Sequence, residues 1–329
     1  MRRNVAAVIV TYNRLEKLKE ALEKSLEEPF FAVVVVNNKS TDGTAEWLDQ
    51  HTNERLHVVH SPENVGGAGG FHQGFDFAAQ KLPEAEWLVC YDDDAYPEQG
   101  MLREFDGLEV PDEVAGLAAA VYLPNGRVSE MNRPSVNAFW HLKELVRTSF
   151  RGRNRFYMSD AKYESKGPIE IDSSSFVGFF VRLSLIRERR LGLPRSELFI
   201  YFDDVIYALE LRKAGFKHWF VPRLRFVHDC KSLVEQIDVY HPLWRVYYMY
   251  RNRQEMYRIA SGKLYPLVAL LEIPKLFLAV RFYQPFERKR YLRITIEAVR
   301  DGLLKNYSKS FSDVMRLSET PQRKGNNNS

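Results

Sequence analysis

Four short apolar runs, at 5–10, 31–36, 56–60 and 87–91, punctuate the first ninety or so residues, and each stops on a polar or glycine-rich segment. Helical spacing fills the gaps. Leu15, Leu18, Ala21 and Leu22 recur at three- and four-residue intervals, and Thr41 or Asp42 can cap a helix carrying Ala45, Trp47 and Leu48. β-Branched runs alternating with helices across short connections are the pattern of a parallel sheet with crossover helices, each strand buried on both faces. In such sheets ligands bind beyond the carboxyl ends of the strands. Thr11-Tyr12-Asn13-Arg14, Asn37 to Asp42, Asn64 to Gly70 and Asp92-Asp93-Asp94 all fall there. Four such loops at one edge point to a nucleotide-binding crevice far more strongly than any one of them.

The fourth run, Trp87-Leu88-Val89-Cys90-Tyr91, ends on three adjacent carboxylates. Strand alternation puts Asp92 and Asp94 on one side and Asp93 on the other. Like charges that close raise each other's proton affinity unless a cation lies between them. Oxygen ligands of this kind suit Mg²⁺ or Mn²⁺, which in turn holds phosphate oxygens. Taken alone, the same triplet also reads as a solvated acidic turn. Gly66-Gly67-Ala68-Gly69-Gly70 has neither the order of a dinucleotide fingerprint nor the terminal Lys-Ser/Thr of a P-loop. Close backbone approach to a ligand and a mobile surface loop both account for it, with a helix expected over 71–80.

Further on, 114–122 reads as a strand and Asn125-Gly126 as a hairpin turn. Residues 127–166 carry aromatics and arginines (Phe139, Trp140, Phe150, Arg151, Arg153, Arg155, Phe156) without a legible period. The small residues around Phe176 and Gly178 permit close approach of something bulky, an acceptor among the options. An apolar stretch over 198–202 runs into Asp203-Asp204, a helix follows to Ala214 with Gly215 as its cap, and short strands are expected at 219–221 and 224–228. Two cysteines, Cys90 and Cys230, make no disulfide framework and fit a reduced, cytoplasmic protein; the opening residues lack a signal-peptide pattern.

With these pieces placed, the chain resembles the family 2 glycosyltransferases of GT-A fold, and within them the bacterial galactofuranosyltransferases and related rhamnosyltransferases. The likeness rests on residues 8–14, 36–44 and 64–71, on Asp92-Asp93-Asp94, Phe202-Asp203-Asp204 and Val227-His228, in family order. The three-carboxylate form and the doubled glycines favour the galactofuranosyl branch. The resemblance implies an α/β catalytic domain with a mostly parallel, Rossmann-like sheet. It implies Asp92, Asp94 and His228 as ligands of Mn²⁺ or Mg²⁺ on a nucleotide-sugar diphosphate, and Asp204 as the general base of an inverting transfer. Asp203 would bind acceptor hydroxyls or orient the site; the common family form is Glu-Asp, and here the pair is Asp-Asp. Thr11, Tyr12, Arg14, Asn38 and Asp42 would build the uridine pocket. Gly66, Gly67 and Gly69 would lie on the donor side, with Asp93 towards ribose or sugar. UDP-galactofuranose is the donor implied, dTDP-rhamnose the second choice, and a glycan on a polyprenyl carrier the acceptor. A nucleotidyltransferase also uses paired carboxylates and a metal, but its basic glycine-rich loop after the first strand is missing. A non-catalytic glycan-binding protein would have no need of Asp92, Asp94, Asp204 and His228 together.

Charge separates the last third. From Tyr240 to Arg300 there are twelve Lys and Arg against four Glu and no Asp, a net of +8. Tyr247-Tyr248-Met249-Tyr250-Arg251-Asn252 resembles a segment that follows the catalytic domain in this branch; Arg251 suits an acceptor phosphate, or packing of a helix. Residues 264–280 are mostly apolar but hold Glu272, Lys275, Pro266 and Pro274, too interrupted for a membrane span. With basic flanks and aromatics, the stretch fits an interfacial segment on the anionic inner leaflet, or an oligomer interface. No nucleic-acid module accompanies the basic residues, and oligomeric state leaves no motif. The expected organisation is a catalytic domain over 1–235, a basic helical region over 236–318 and a disordered tail over 319–329.

Overall fold

The computed structural model describes residues 2–141, 156–230 and 239–319, and the chain divides into one unit ending at Ser232 and a second beginning at Leu233. Phe150, Arg151, Arg153 and Arg155, and the expected tail beyond Glu319, lie outside the described residues.

In the first unit β1 (Val5–Thr11), β2 (Ala32–Asn37), β3 (Leu56–His60) and β4 (Trp87–Asp92) pair in parallel in the order β3-β2-β1-β4. The crossovers are α1 (Leu15–Glu27), α2 (Thr44–Gln50) and α3 (Gly66–Lys81). Helices on both faces explain why β1 and β2 are apolar without alternation. Val5, Ala7, Ile9, Val33 and Val35 pack with Leu18 and Leu22 of α1, whereas Ala6, Val8, Val10, Val34 and Val36 pack with Phe71, Phe75 and Ala78 of α3.

Past β4 the sheet becomes mixed, with β5 (Ala95–Pro97), β6 (Val114–Tyr122), β7 (Ile169–Ile171), β8 (Phe179–Arg182) and β9 (Lys217–His228). Helices α4 (Met101–Asp106), α5 (Asp160–Tyr163), α6 (Leu183–Arg187) and α7 (Asp203–Lys213) lie between them. β8 sits antiparallel between β4 and β6, β9 runs parallel to β6, and both β5 and β7 pair antiparallel with β9. Six of the nine described strands therefore run the same way. The turn at Asn125-Gly126 forms as expected, Leu123 donating to the Arg127 carbonyl at 2.7 Å with Gly126 at φ 79°.

Two expectations are corrected. The strands anticipated at 219–221 and 224–228 are one strand, β9, whose register on β6 jumps from Ala119↔Val221 to Ala120↔Arg225. Pro222, which has no N–H for a ladder, falls in that bulge. The glycine run is no loop: α3 begins at Gly66, five residues before the expected start. Helix–sheet contact requires its glycines, since a Cβ on Gly70 would stand 2.4 Å from Val10 Cγ1 and one on Gly74 2.3 Å from Val8 Cγ1.

The second unit contains α8 (Trp244–Ser261), α9 (Tyr265–Leu278), α10 (Arg288–Leu304) and α11 (Phe311–Ser318). α8 and α10 share a core of aromatic and aliphatic side chains with buried polar ties: the Tyr250 and Tyr291 hydroxyls lie 2.8 Å apart and Tyr247 donates to Asp301 at 2.8 Å. No described helix is long and apolar enough to cross a membrane.

Candidate active site

β4 delivers the three carboxylates to the sheet edge, and they part as alternation requires. Asp93 turns towards β1. It accepts from the Thr11 hydroxyl at 2.7 Å and the Tyr12 backbone N–H at 3.4 Å, with an Arg14 guanidinium nitrogen also at 3.4 Å. Burial pushes its carboxyl up to about 6, against the pull of Thr11 and Arg14. Asp92 and Asp94 share the other side with His228, and one ligand atom from each lies within 4.8 Å of the others. Burial and the neighbouring Asp94 charge raise the Asp92 carboxyl. Asp94 is also desolvated, but hydrogen bonds from His228 and Arg14 outweigh that and hold it below the usual range.

His228, at the end of β9, comes to Asp94 through strand pairing: Ala95 stands opposite His228, and the Asp229 N–H donates to the Asp94 carbonyl at 2.8 Å. Its Nε2 is 3.1 Å from Asp94 Oδ1 and its Nδ1 is 2.8 Å from Asn132 Oδ1. Against the desolvation that lowers it, the hydrogen bond to Asp94 and the charges of Asp94 and Asp92 raise the imidazole. The Nδ1–H faces Asn132 Oδ1, which leaves Nε2 turned towards the carboxylates. Two carboxylate oxygens and an imidazole nitrogen around one point fit a divalent cation such as Mn²⁺. Sequence reasoning missed Asn132, which is 4% exposed within the aperiodic stretch and takes its role only from where the fold brings it.

The second acidic pair opens α7. Asp203 is buried, and its carboxyl is raised by burial, by Asp204 and by the charge of Asp92, so the two acidic motifs are within electrostatic reach of each other. Asp204 is half-buried; burial raises it to about 6, opposed by backbone hydrogen bonds that include the Val205 N–H at 2.7 Å and the Phe176 N–H. A carboxylate with its affinity in that range accepts a proton near neutrality.

A cleft of about 460 Å³ opens beside Asp94, lined by Asn13, Arg14, Leu15, Lys17, Asp42 and Asp229 among others. Arg14 and Asp42 thus share one wall region with a candidate metal ligand. Arg14 reaches the carboxylates directly, 2.6 Å from Asp94 Oδ2. Asp42 accepts from the Leu15 N–H at 3.0 Å and the Thr44 N–H at 3.2 Å, tying α1 to α2. Tyr12 is 44% exposed. Thr11 and Asn38 face inward at 1% and 2% exposure.

The residues anticipated at an acceptor site pack against protein. The Phe176 ring is in the core against Phe71 and Phe179, and a Cβ on Gly178 (φ +71°) would meet Ala119 Cβ at 2.7 Å: the bulky neighbours are the protein's own. Arg251 is fully buried in the second unit, its guanidinium 4.9–5.3 Å from the ring centroids of Tyr247, Tyr248 and Tyr307, which is the packing alternative. On the donor side, a Cβ on Gly66 would sit 2.1 Å from the Phe199 carbonyl oxygen and one on Gly69 2.5 Å from Val65, so protein explains both; Gly67 faces open space.

A mostly parallel sheet flanked by helices, with acidic residues at the carboxyl ends of its strands, is the architecture of GT-A glycosyltransferases, and solved structures agree on the fold. Staphylococcus aureus TarS 1–349 in complex with UDP superposes with a TM-score of 0.55 at 14% identity, over 96% of this chain and 90% of that one. The mannosyltransferase PcManGT from Pyrobaculum calidifontis, in complex with GDP-Man and Mn²⁺, gives 0.53 at 15% identity, over 93% and 88%. The model of glycosyl transferase family 2 matches residues 6–183, and the chain belongs to that family. It is 23% identical to the dTDP-rhamnosyl transferase RfbF of Shigella flexneri over 257 residues, 77% of this chain and 79% of that protein. It is 27% identical to the galactofuranosyltransferase GlfT1 of Mycobacterium tuberculosis over 235 residues, 70% and 72%. Membership makes the chain a glycosyltransferase and not a nucleotidyltransferase.

Proposed function

We propose that the protein is an inverting, metal-dependent glycosyltransferase that moves galactofuranose from UDP-galactofuranose onto a glycan acceptor on a polyprenyl carrier, at the inner face of the membrane. The observation that carries this reading is the meeting of Asp92, Asp94 and His228 around one point, with the acidic pair of α7 in electrostatic reach. Asp204 takes the proton of the acceptor hydroxyl. The oxygen attacks the anomeric carbon from the face opposite the leaving group, the bond to the diphosphate breaks, and UDP departs. Asp203, its carboxyl raised by burial and by Asp204, binds acceptor hydroxyls or orients the site. Asp92, Asp94 and His228 would hold a divalent cation, which when bound would supply Lewis-acid charge against the departing diphosphate. Tyr12, Arg14 and Asp42 serve the nucleotide side and Asp93 fixes β1 against β4. Residues 1–235 act as the catalytic domain and 236–318 as an accessory, membrane-facing region.

Similarity to RfbF supports a second donor, dTDP-rhamnose, with the same mechanism. A panel of UDP-galactofuranose, UDP-galactopyranose, UDP-glucose and dTDP-rhamnose, assayed with Mn²⁺ and with EDTA, decides. Selective, EDTA-sensitive turnover of UDP-galactofuranose is expected. Turnover of dTDP-rhamnose alone would transfer the assignment to the second donor, and EDTA-insensitive turnover would overturn the metal reading.

A further inference from the structure

We infer that Asn38, Asn64 and Gly66 form a bracket that positions the acidic pair of α7, and that Asn38 acts through this bracket and not by touching the nucleotide. The inference rests on Asp204 being the base. Asn38 spends its amide on protein: it donates to Asn64 Oδ1 at 3.1 Å and to the Gly66 carbonyl at 3.0 Å, and accepts from the Val65 N–H at 2.9 Å. Asn64 Oδ1 also accepts from the Gly66 N–H at 2.9 Å. The turn entering α3 is thereby fixed, with Gly66 at φ +72°.

That turn grips the segment before Asp203. The Ala68 N–H, in the first turn of α3, donates to the Phe199 carbonyl at 3.0 Å, and a Cβ on Gly66 would lie 2.1 Å from that same oxygen. Phe199 (φ 66°, ψ −59°) is the centre of a γ-turn in which Ile200 donates to the Leu198 carbonyl at 2.8 Å. Tyr201 and Phe202 follow at φ 70° and 63°, and Asp203 is next. γ-Turns of this hand are rare and strained, and positive φ is an outlier for bulky side chains. Such conformations persist only where the surroundings over-determine them. Here the contact with α3 is one of the restraints, so the bracket links the end of β2 to the acidic pair through a short series of hydrogen bonds.

The test uses full-length Asn38→Ala and Phe199→Gly proteins; glycine accepts positive φ, so the second variant keeps the question open if the first does not fold. Three quantities are read: the Kd of UDP with Mn²⁺, turnover of the donor selected from the panel, and hydrogen exchange of amides 200–206. Turnover at least tenfold lower, UDP affinity within twofold of the parent and faster exchange over 200–206 are expected. A tenfold loss of UDP affinity in Asn38→Ala with unchanged exchange would make Asn38 a nucleotide contact and overturn the inference. Turnover and 200–206 exchange both unchanged in the variants would do the same. Asp204→Asn with undiminished turnover would sink the base assignment alone, while the exchange measurement still judges the bracket.

Discussion

At the scale of single residues, the chemistry turns on carboxylates whose charge the fold makes costly. Asp204 has its proton affinity raised to about 6, chiefly by burial. A base works in its ionised form, so kcat/KM is expected to rise with pH through a midpoint near 6, about two units above an ordinary aspartate. Asp204→Asn should lower kcat by roughly 10²–10⁴-fold while leaving the Kd of UDP with Mn²⁺ little changed. Comparable losses of turnover and binding would argue against the base. Arg14 makes a second case. Its guanidinium occupies Asp94 Oδ2 at 2.6 Å and so competes with any divalent ion for that oxygen. Arg14→Gln should therefore tighten Mn²⁺ binding in the absence of nucleotide, read by titration of free Mn²⁺ signal in electron paramagnetic resonance. Unchanged or weaker binding would refute the competition.

At the scale of elements, α3 shows how packing overrides composition. Glycine inside a helix ordinarily loses about 1 kcal/mol to alanine. At Gly74 the sign should reverse, because the added methyl would press on Val8 Cγ1 at 2.3 Å. Gly74→Ala is expected to lower unfolding stability by roughly 1–3 kcal/mol in denaturant titrations, with part of the loss recovered in a Val8→Ala background. The same helix shows what the sequence could and could not convey. Three of the four parallel strands were legible because residues 5–10, 31–36 and 87–91 are apolar without interruption, whereas Asp204 and His228 were singled out only by the family resemblance. The run 66–70 was misread as a loop, since glycine advertises freedom in one dimension and close approach only in three. Asn132 had no local signal, because its meaning is its contact with His228, 96 residues away. Asn38 looked like a ligand residue by position, and its bonds to Asn64, Val65 and Gly66 could be read only from the fold.

At the scale of the whole molecule, the second unit presents an apolar stripe to solvent. Leu264, Leu267, Leu271, Leu278 and Phe282 recur at helical spacing and are 46–62% exposed, with Leu270 and Phe286 more so. Lys263, Arg281, Arg288, Lys289 and Arg293 are exposed in the same stretch of chain. A second copy of so basic a surface would repel the first, whereas an anionic leaflet answers both the charge and the leucines. Sedimentation with vesicles containing phosphatidylglycerol should retain the protein at low salt, less so at 0.5 M salt, and Leu270→Ser/Leu271→Ser should lower the partition coefficient about tenfold or more without altering turnover of a soluble acceptor. Binding indifferent to both lipid charge and these leucines would dismiss the surface.

The bulge at Pro222 has a consequence of its own. β9 carries its register from the bulge to His228, where the ladder with β5 sets the histidine against Asp94. Because side chains alternate, adding or removing one residue between them would turn the imidazole to the opposite face. The length of that interval therefore matters to the site as much as the buried Leu224 and Phe226 within it. A one-residue insertion or deletion there is expected to carry His228 away from Asp94.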